Sequence, residues 1–234
     1  MSENGIVCKG VQKKFGDILA LKGVDLNIEK GDFLALFGPN GAGKTTLIKI
    51  LCGLLRPTAG VAKVAGHDVH ETGIRKKVGV ISHKSFLYDD LTAFENLKFY
   101  GELYGELNPS KKADNLLKQV ELFDRRDDRA GTFSRGMIQR LSIARALVAD
   151  PEFIFLDEPF TGLDVPSATL FRDLLKQLHV EGKTVIMISH DIGIGISVST
   201  RLAILNGGKL VYDAKTAGMT TSDFKSIYMK EIGL

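Results

Sequence analysis

Three runs of consecutive apolar residues predict the central β-strands of the chain. The runs lie within FLALF (33–37), FIFLD (153–157) and KTVIMIS (183–189). Unbroken apolar runs of this length are typical of strands buried on both faces of a parallel sheet. The first thirty residues instead alternate between apolar and polar positions and predict short strands, and residues 201–214 predict a hairpin around Asn206, Gly207 and Gly208. Both ends of the chain therefore contribute to an α/β core.

The middle of the chain, roughly residues 84–150, has helical patterning. Its helix starts are a capping box at Thr92–Glu95, the pair Asn108–Pro109, and Ser134. The second helix has an apolar face formed by Ala113, Leu116, Leu117 and Val120. The third helix continues to Pro151. We therefore predict one domain, in which a helical segment (83–150) is inserted into a core formed by residues 1–82 and 151–234.

Composition narrows the functional class. Of 234 residues, 44% are hydrophobic and 25% are charged, as in an ordinary globular protein. The net charge is only +3, and the tightest basic cluster, RKK at 75–77, is better explained as a solvated face than as a nucleic-acid surface, so we expect no nucleic-acid partner. Cys8 and Cys52 lack metal-ligand spacing and indicate a reducing, cytosolic setting. The chain has no signal region and no run of ~18 apolar residues, so we expect that it does not cross a membrane by itself.

A complete phosphate-binding motif follows the first apolar run. The motif G-x-x-x-x-G-K-[ST] and the residue after it supply Gly38, Asn40, Gly41, Ala42, Gly43, Lys44, Thr45 and Thr46 as candidate nucleotide contacts. Its glycines allow successive N–H groups to turn towards phosphate oxygens, and a Cβ at Gly41 or Gly43 would obstruct that arrangement. Lys44 supplies charge for the β- and γ-phosphates, Thr45 a hydroxyl for Mg²⁺, and Thr46 a further donor.

Two acidic residues and a histidine follow the other apolar runs. Asp157 ends one strand and can hold Mg²⁺ through water, whereas Glu158 can accept a proton from the attacking water. His190 ends another strand and could donate a hydrogen bond to the γ-phosphate, because ligands gather at the carboxyl ends of parallel strands. An ordinary acidic strand end and a structural histidine are the alternatives.

The helix that starts at Ser134 predicts a second anion site. A serine at a helix start, followed by Gly136, leaves backbone N–H groups and the positive end of the helix dipole exposed. The sequence therefore predicts two phosphate sites, about ninety residues apart.

The order of these motifs resembles the nucleotide-binding subunit of an ABC transporter over essentially the whole chain. The supporting segments are Phe15, the phosphate loop, FSRGM (133–137), FIFLDE (153–158), Pro159, TGLD (161–164) and His190. The resemblance implies an ATPase with a P-loop NTPase (RecA-like) core, an antiparallel β edge subdomain and an inserted helical subdomain, with ATP and Mg²⁺ as cofactors. It also implies a homodimer, or a pair with a related ATPase subunit, in which Ser134 and Gly136 of one copy meet the γ-phosphate held by the other.

The resemblance assigns roles to further residues. Asp164 matches a loop that crosses to the partner and helps to align Glu158 with the attacking water. Phe15 matches an aromatic residue that stacks on adenine, although such a residue is equally often part of a core.

Two departures from the family pattern alter expected contacts. Arg135 and Met137 replace a glycine and a glutamine of the usual signature; Arg135 either adds charge near the partner's nucleotide or points to water. His83 stands where the family has a glutamine that senses Mg²⁺ and the lytic water, and a shorter, titratable side chain could keep only part of that role.

The resemblance also implies a multi-span membrane permease as partner, placing the chain peripherally on the inner face of the cell membrane. Phe86, Leu87 and Tyr88 match the cleft that receives a permease helix, or they fill the core of the helical segment. At subfamily level the sequence looks most like ATPases of haem export and cytochrome c maturation. The alternative is a non-transport ABC ATPase of DNA repair or translation.

Overall fold

The computed structural model describes residues 5–82 and 85–233, and within them it contains two β-sheets and seven α-helices. The strands are β1 (Ile6–Phe15), β2 (Ile18–Ile28), β3 (Phe33–Phe37), β4 (Ala59–Val64), β5 (His67–Asp68), β6 (Val78–Ile81), β7 (Phe153–Asp157), β8 (Thr184–Ile188), β9 (Arg201–Asn206) and β10 (Lys209–Lys215). The helices are α1 (Lys44–Leu51), α2 (Ala93–Tyr104), α3 (Pro109–Gln119), α4 (Arg135–Leu147), α5 (Val165–Val180), α6 (Ile192–Val198) and α7 (Thr221–Ile232).

The larger sheet confirms the predicted buried strands. Its order is β10-β9-β3-β8-β7-β6, and all pairs are parallel except β10 with β9. Every residue of β3, β7 and β8 is buried. In the register of the sheet, Leu36 and Asp157 both lie opposite Ile188, so the carboxyl ends of these three strands meet at one edge.

The side chains of the larger sheet alternate between two apolar cores. On β3, Leu34 and Leu36 pack with α1 and the second sheet, which is antiparallel with the order β2-β1-β4-β5. Phe33, Ala35 and Phe37 pack on the opposite face with the helices. This arrangement of layers confirms the predicted α/β class with an antiparallel sheet beside a parallel core.

Helices α2, α3 and α4 lie between β6 and β7 in the sequence, and they pack against one another. The capping box is confirmed: the Thr92 side chain accepts a hydrogen bond from the N–H of Glu95, and the Glu95 carboxylate accepts one from the N–H of Thr92. The apolar face predicted for α3 is buried. The limits of the helical segment at 83 and 150 remain a prediction.

Several boundaries predicted from the sequence were wrong. The first two strands are long, with 10 and 11 residues, because β1 pairs with both β2 and β4. Helix α1 ends at Leu51 rather than near Pro57, since Gly53 adopts φ +70°, which a helix cannot continue. Helix α4 ends at Leu147 and not at Pro151. The Asn108 side chain caps no backbone group among the described residues, although α3 does begin at the next residue.

Candidate functional site

The phosphate loop connects β3 to α1, as the motif predicts. Gly38 has φ +148°, and a Cβ there would lie 2.0 Å from the carbonyl oxygen of Leu205. Gly43 has φ +103°, and its Cβ would lie 2.6 Å from the carbonyl oxygen of Ala20. At Gly41 (φ +78°) the described residues leave 4 Å of open space around the Cβ position. The obstruction expected at Gly43 therefore comes from the protein itself, whereas Gly41 faces an open space suited to a ligand.

The Lys44 side chain is held inside this loop. Its Nζ donates hydrogen bonds to the carbonyl oxygens of Gly38 (2.7 Å) and Pro39 (3.0 Å), and the residue is buried. Burial lowers the pKa of the Lys44 ammonium, and the negative charges of Glu158 and Asp157 act in the opposite direction. Both partners of this cation are neutral carbonyl oxygens, so negatively charged phosphate oxygens can replace them and add charge pairing.

Asp157 lies at the end of β7 with one carboxylate oxygen unsatisfied. The residue is 5% exposed, and its Oδ1 is buried without a hydrogen-bond partner in the described part of the chain. An unpaired buried carboxylate oxygen is unfavourable without a cation.

The residues near Asp157 fit Mg²⁺. Residues 5–82 and 85–233 contain no group of three or more His, Cys, Asp or Glu side chains able to hold a metal by themselves. Mg²⁺ suits such a site because it commonly takes one or two protein ligands and fills its remaining positions with phosphate oxygens and waters. Thr45, exposed at the start of α1, offers the hydroxyl that the motif predicts.

Glu158 follows Asp157 in a strained backbone conformation. Its φ is +53°, uncommon for a residue with a Cβ, and its N–H donates to the carbonyl oxygen of Ile188. Its Oε1 lies 2.6 Å from His190 Nε2. His190 is 46% exposed beyond the end of β8, so it is not a core histidine. The structure thus brings Glu158 and His190 together at the carboxyl edge of the sheet.

The second predicted anion site lies at the start of α4. Ser134 is exposed, and its Oγ accepts a hydrogen bond from the N–H of Met137 at 3.3 Å. A Cβ on Gly136 would lie 3.4 Å from Ser167 Oγ, so this turn packs closely on the start of α5. Capping thus uses the Ser134 hydroxyl in this conformation, while the turn remains open to solvent.

The Asp164 carboxylate caps α5. Its Oδ1 accepts a hydrogen bond from the N–H of Ser167 at 2.9 Å, and the bonds to Ser167 lower the pKa of Asp164. An aspartate before Val165–Pro166 is a familiar N-cap pattern, so the sequence contains a signal for this capping role in addition to the role that the resemblance assigned to Asp164.

Phe15 is exposed and His83 lies outside the described residues. The Phe15 side chain is 47% exposed at the end of β1, and Lys13 Nζ lies 5.1 Å from its ring centroid. Phe15 is therefore not part of a core, which leaves the stacking role open to it.

The segment after Ser85 separates its three apolar residues. Leu87 packs against the core, which agrees with the alternative that these residues fill the core. Phe86 and Tyr88 are instead 43% and 50% exposed. The Tyr100 hydroxyl donates to the carbonyl oxygen of Phe86 at 2.5 Å. Arg145, a buried residue that the sequence analysis did not identify, donates to the carbonyl oxygen of Ser85 at 3.2 Å.

Gln139 was also missed as a site residue. Its Nε2 donates to the carbonyl oxygen of Pro159 at 3.0 Å, directly after Glu158. Its only sequence signal is a polar side chain one turn into a helix that starts with an anion site.

None of the helices in the described residues is long and apolar enough to cross a membrane.

Comparisons with known proteins agree with this geometry. The profile of the ABC transporter family matches residues 21–161. The chain is 36% identical to the ABC transporter ATP-binding protein NatA of Bacillus subtilis (strain 168) over 230 residues, which cover 94% of each protein. It is 32% identical over 240 residues to the daunorubicin resistance ATP-binding protein DrrA3 of Streptomyces coeruleorubidus, covering 100% of this chain and 76% of that one.

Among solved structures, the chain is similar to a dimeric, post-hydrolysis state of the ATP-binding cassette MJ0796 bound to ADP and Pi. The sequence identity is 32%, the TM-score is 0.83, and the match covers 92% of this chain and 100% of that one. The phosphate loop, the carboxyl-edge residues and these relatives lead to one conclusion: the chain belongs to the ABC transporter family, as an ATP-binding subunit with ATPase activity.

Proposed function

We propose that two copies of this chain bind two Mg·ATP at shared sites and use hydrolysis to drive a conformational change in a separate membrane permease. The observation that carries the proposal is the cluster at the carboxyl edge of the sheet. There the unsatisfied Oδ1 of Asp157 adjoins the strained Glu158 and its contact with His190.

Within one site, each residue has a defined task. Lys44 exchanges its two carbonyl partners for phosphate oxygens, and the N–H groups of Asn40 to Thr46 bind the phosphates. Asp157, through water, and Thr45 hold Mg²⁺, which when bound neutralises charge on the phosphate oxygens. The exposed ring of Phe15 stacks on the adenine.

Glu158 and His190 act on the water and the γ-phosphate. Glu158 accepts the proton of the attacking water. The hydrogen bond between His190 and Glu158 orients the carboxylate before nucleotide arrives, and His190 then donates to the γ-phosphate. His83 takes the sensor position in this proposal.

The partner copy completes each site. Ser134 and the N–H of Gly136 are exposed or half-buried at a helix start, where an anion is favoured, and we assign them to the γ-phosphate bound by the other copy. Asp164 crosses the same interface. A dimeric cassette among the structural relatives supports the pairing.

The permease binds to the surface formed by Phe86 and Tyr88, next to Phe99. These three rings are 39–50% exposed, and Tyr88 and Phe99 stack edge to face with ring centroids 5.2 Å apart. The chain is thereby held at the cytoplasmic face of the membrane, with residues 83–150 as the subdomain that transmits the movement and no nucleic acid as partner.

The relatives described above are named for drug resistance or as an ATP-binding protein, and they give the expectation of haem export or cytochrome c maturation no support.

Replacing Glu158 with glutamine tests the shared site. We expect Glu158→Gln to bind Mg·ATP, to lose hydrolysis and to accumulate as an ATP-bound dimer, measured by light scattering after size-exclusion chromatography. Glu181→Gln, at an exposed carboxylate after α5, is the control and should behave like the unmodified chain. Hydrolysis at the normal rate in Glu158→Gln would show that the assignment of the base is wrong.

A second experiment tests the permease surface. Phe86→Glu combined with Tyr88→Glu should leave ATP binding intact but abolish co-purification with the permease, because two charges would be buried in an apolar contact. Val180→Glu, at another exposed apolar residue, is the matched control. Continued co-purification of the double variant would rule out this docking surface.

A further inference from the structure

Arg135 breaks a rule of local helix chemistry. It is the first residue of α4, and the first turn of that helix contains no acidic residue. The positive end of the helix dipole disfavours a cation there. A residue that breaks a local rule without a local benefit indicates a constraint imposed from elsewhere.

The guanidinium of Arg135 lies against Gly162 of the same chain. A Cβ built on Gly162 would lie 2.5 Å from Arg135 Cζ, 2.6 Å from its Nε and 2.8 Å from its Nη1. Gly162 also has φ +78°. A side chain at position 162 would therefore displace the Arg135 guanidinium from its present place. Arg135 is also exposed to solvent, so its side chain borders water while its guanidinium contacts Gly162.

A second link joins α4 to the same segment. Gln139, one turn after Arg135, donates to the carbonyl oxygen of Pro159. Residues 159–162 directly follow Glu158, so both ends of this segment are held by the first two turns of α4.

Arg135 also borders a cavity next to the two acidic residues at the end of β7. A cavity of about 90 Å³ is lined by Arg135, Gln139, Asp157, Glu158 and Thr161, among others. The Arg135 side chain is exposed, and its contact with Gly162 is one of packing. Its guanidinium is thus positioned by packing on Gly162 and can shift with the helix start.

We infer that Arg135 is a positioning residue that couples the two ATP sites of the dimer through a single chain. Its backbone belongs to the α4 start, which meets the partner's nucleotide, and its side chain holds the segment after Glu158, which serves the chain's own nucleotide. Binding of phosphate at the α4 start therefore aligns Glu158 in the other site. This inference rests on the shared-site dimer proposed above.

The test is a double-mutant cycle on steady-state ATP hydrolysis. Arg135→Gly and Gly162→Ala should each lower kcat by about 3- to 10-fold, with the KM for ATP changed less than about twofold, because the phosphate loop is untouched. The double variant should be no slower than the slower single variant, since both changes remove one contact. Arg135→Lys, which keeps the charge but lacks the guanidinium that packs on Gly162, should lower kcat about as much as Arg135→Gly.

Gly218→Ala is the matched control. Gly218 has the same φ of +78° as Gly162, but no atom of the described residues lies within 4 Å of its Cβ position, so its substitution tests backbone strain alone and should leave kcat unchanged.

Two results would overturn the inference. The first is an unchanged kcat in Arg135→Gly. The second is that Gly162→Ala lowers kcat by the same factor in the unmodified chain and in the Arg135→Gly variant. Dimerisation of the Glu158→Gln variant separates the two proposals. If that variant fails to form an ATP-bound dimer, the shared site and the coupling are both wrong. If the dimer forms and Arg135→Gly keeps its kcat, only the coupling is wrong.

Discussion

Alanine at two glycines of the phosphate loop should separate folding from phosphate binding. Gly38→Ala places a Cβ 2.0 Å from the carbonyl oxygen of Leu205, where an ordinary C···O contact is roughly 3.3 Å or more. Neither atom can yield easily, because the Cβ is fixed by the backbone directly after β3 and Leu205 is a buried residue of β9. Gly41→Ala meets no atom of the described residues within 4 Å, so its cost in the free protein is that of φ +78° alone.

The two stability losses can be worked out from these contacts. At Gly41 the left-handed backbone costs about 1–2 kcal/mol for a residue with a Cβ. At Gly38 a comparable backbone strain of about 1–3 kcal/mol adds to an overpacking cost of about 1–3 kcal/mol. A loss of roughly 2–6 kcal/mol is a large share of the ~5–15 kcal/mol that stabilises a typical domain.

Urea unfolding without nucleotide, followed by far-UV circular dichroism, measures both losses. Gly41→Ala should lower the midpoint as little as Gly218→Ala, which has the same φ of +78° in open space, whereas Gly38→Ala should lower it much more. Calorimetric titration should show ATP binding weakened about tenfold or more in Gly41→Ala, through lost N–H contacts to phosphate, and unchanged in Gly218→Ala. Equal midpoints for the Gly38 and Gly41 variants, or normal ATP affinity in Gly41→Ala, would refute this reasoning.

Three further predictions concern single side chains. Thr92→Ala should lower the free energy of unfolding by about 1 kcal/mol by removing the capping box of α2, measured by urea unfolding, and Thr92→Ser should restore most of it. The ion pair with Lys183 lowers the pKa of Asp150. The stabilisation from this ion pair is therefore present above the unfolded-state pKa of Asp150 and is lost as the pH falls below about 4. Asp150→Asn should make the free energy of unfolding less sensitive to pH in that window. Because the Asp150 side chain is 72% exposed, the effect should stay under about 0.5 kcal/mol, and a larger one would contradict the screening argument. Asp157→Asn should weaken Mg²⁺ activation of hydrolysis about 10- to 100-fold in a Mg²⁺ titration, while Mg²⁺-free nucleotide binding persists.

The elements predicted correctly are those whose signal is local. β3, β7 and β8 are unbroken apolar runs because both faces of the sheet are covered, so burial alone marks them. The phosphate loop and the capping box at Thr92 are short motifs whose residues interact directly with their own backbone. In each case the residues of the sequence pattern are the same residues that form the strand, loop or helix cap.

The features that escaped prediction depend on contacts distant in sequence. α1 ends before Pro57 because the chain turns at Gly53, against the backbone of Val69, and this distant contact decides between two possible local stop signals. The separation of Leu87 from Phe86 and Tyr88 is decided by what α2 and α4 cover. Gln139 reaches Pro159 only because α4 packs on the segment after β7, a contact across 20 residues.

Backbone strain identifies functional positions once turns have been accounted for. In the described residues, five non-glycine residues have positive φ: Ala65, Phe86, Glu121, Asp150 and Glu158. Ala65 lies in the two-residue turn between β4 and β5. Glu121 and Asp150 follow the ends of α3 and α4, where such a conformation terminates a helix.

Phe86 and Glu158 lack an explanation of that kind. Each costs about 1–2 kcal/mol in this conformation and is held by one specific bond: Tyr100 donates to the carbonyl of Phe86, and the N–H of Glu158 donates to Ile188. Strain that the surrounding structure maintains in this way is typical of functional sites. One of these two positions is the proposed permease surface and the other the proposed base, so the backbone supports both assignments independently of the motifs from which they were inferred.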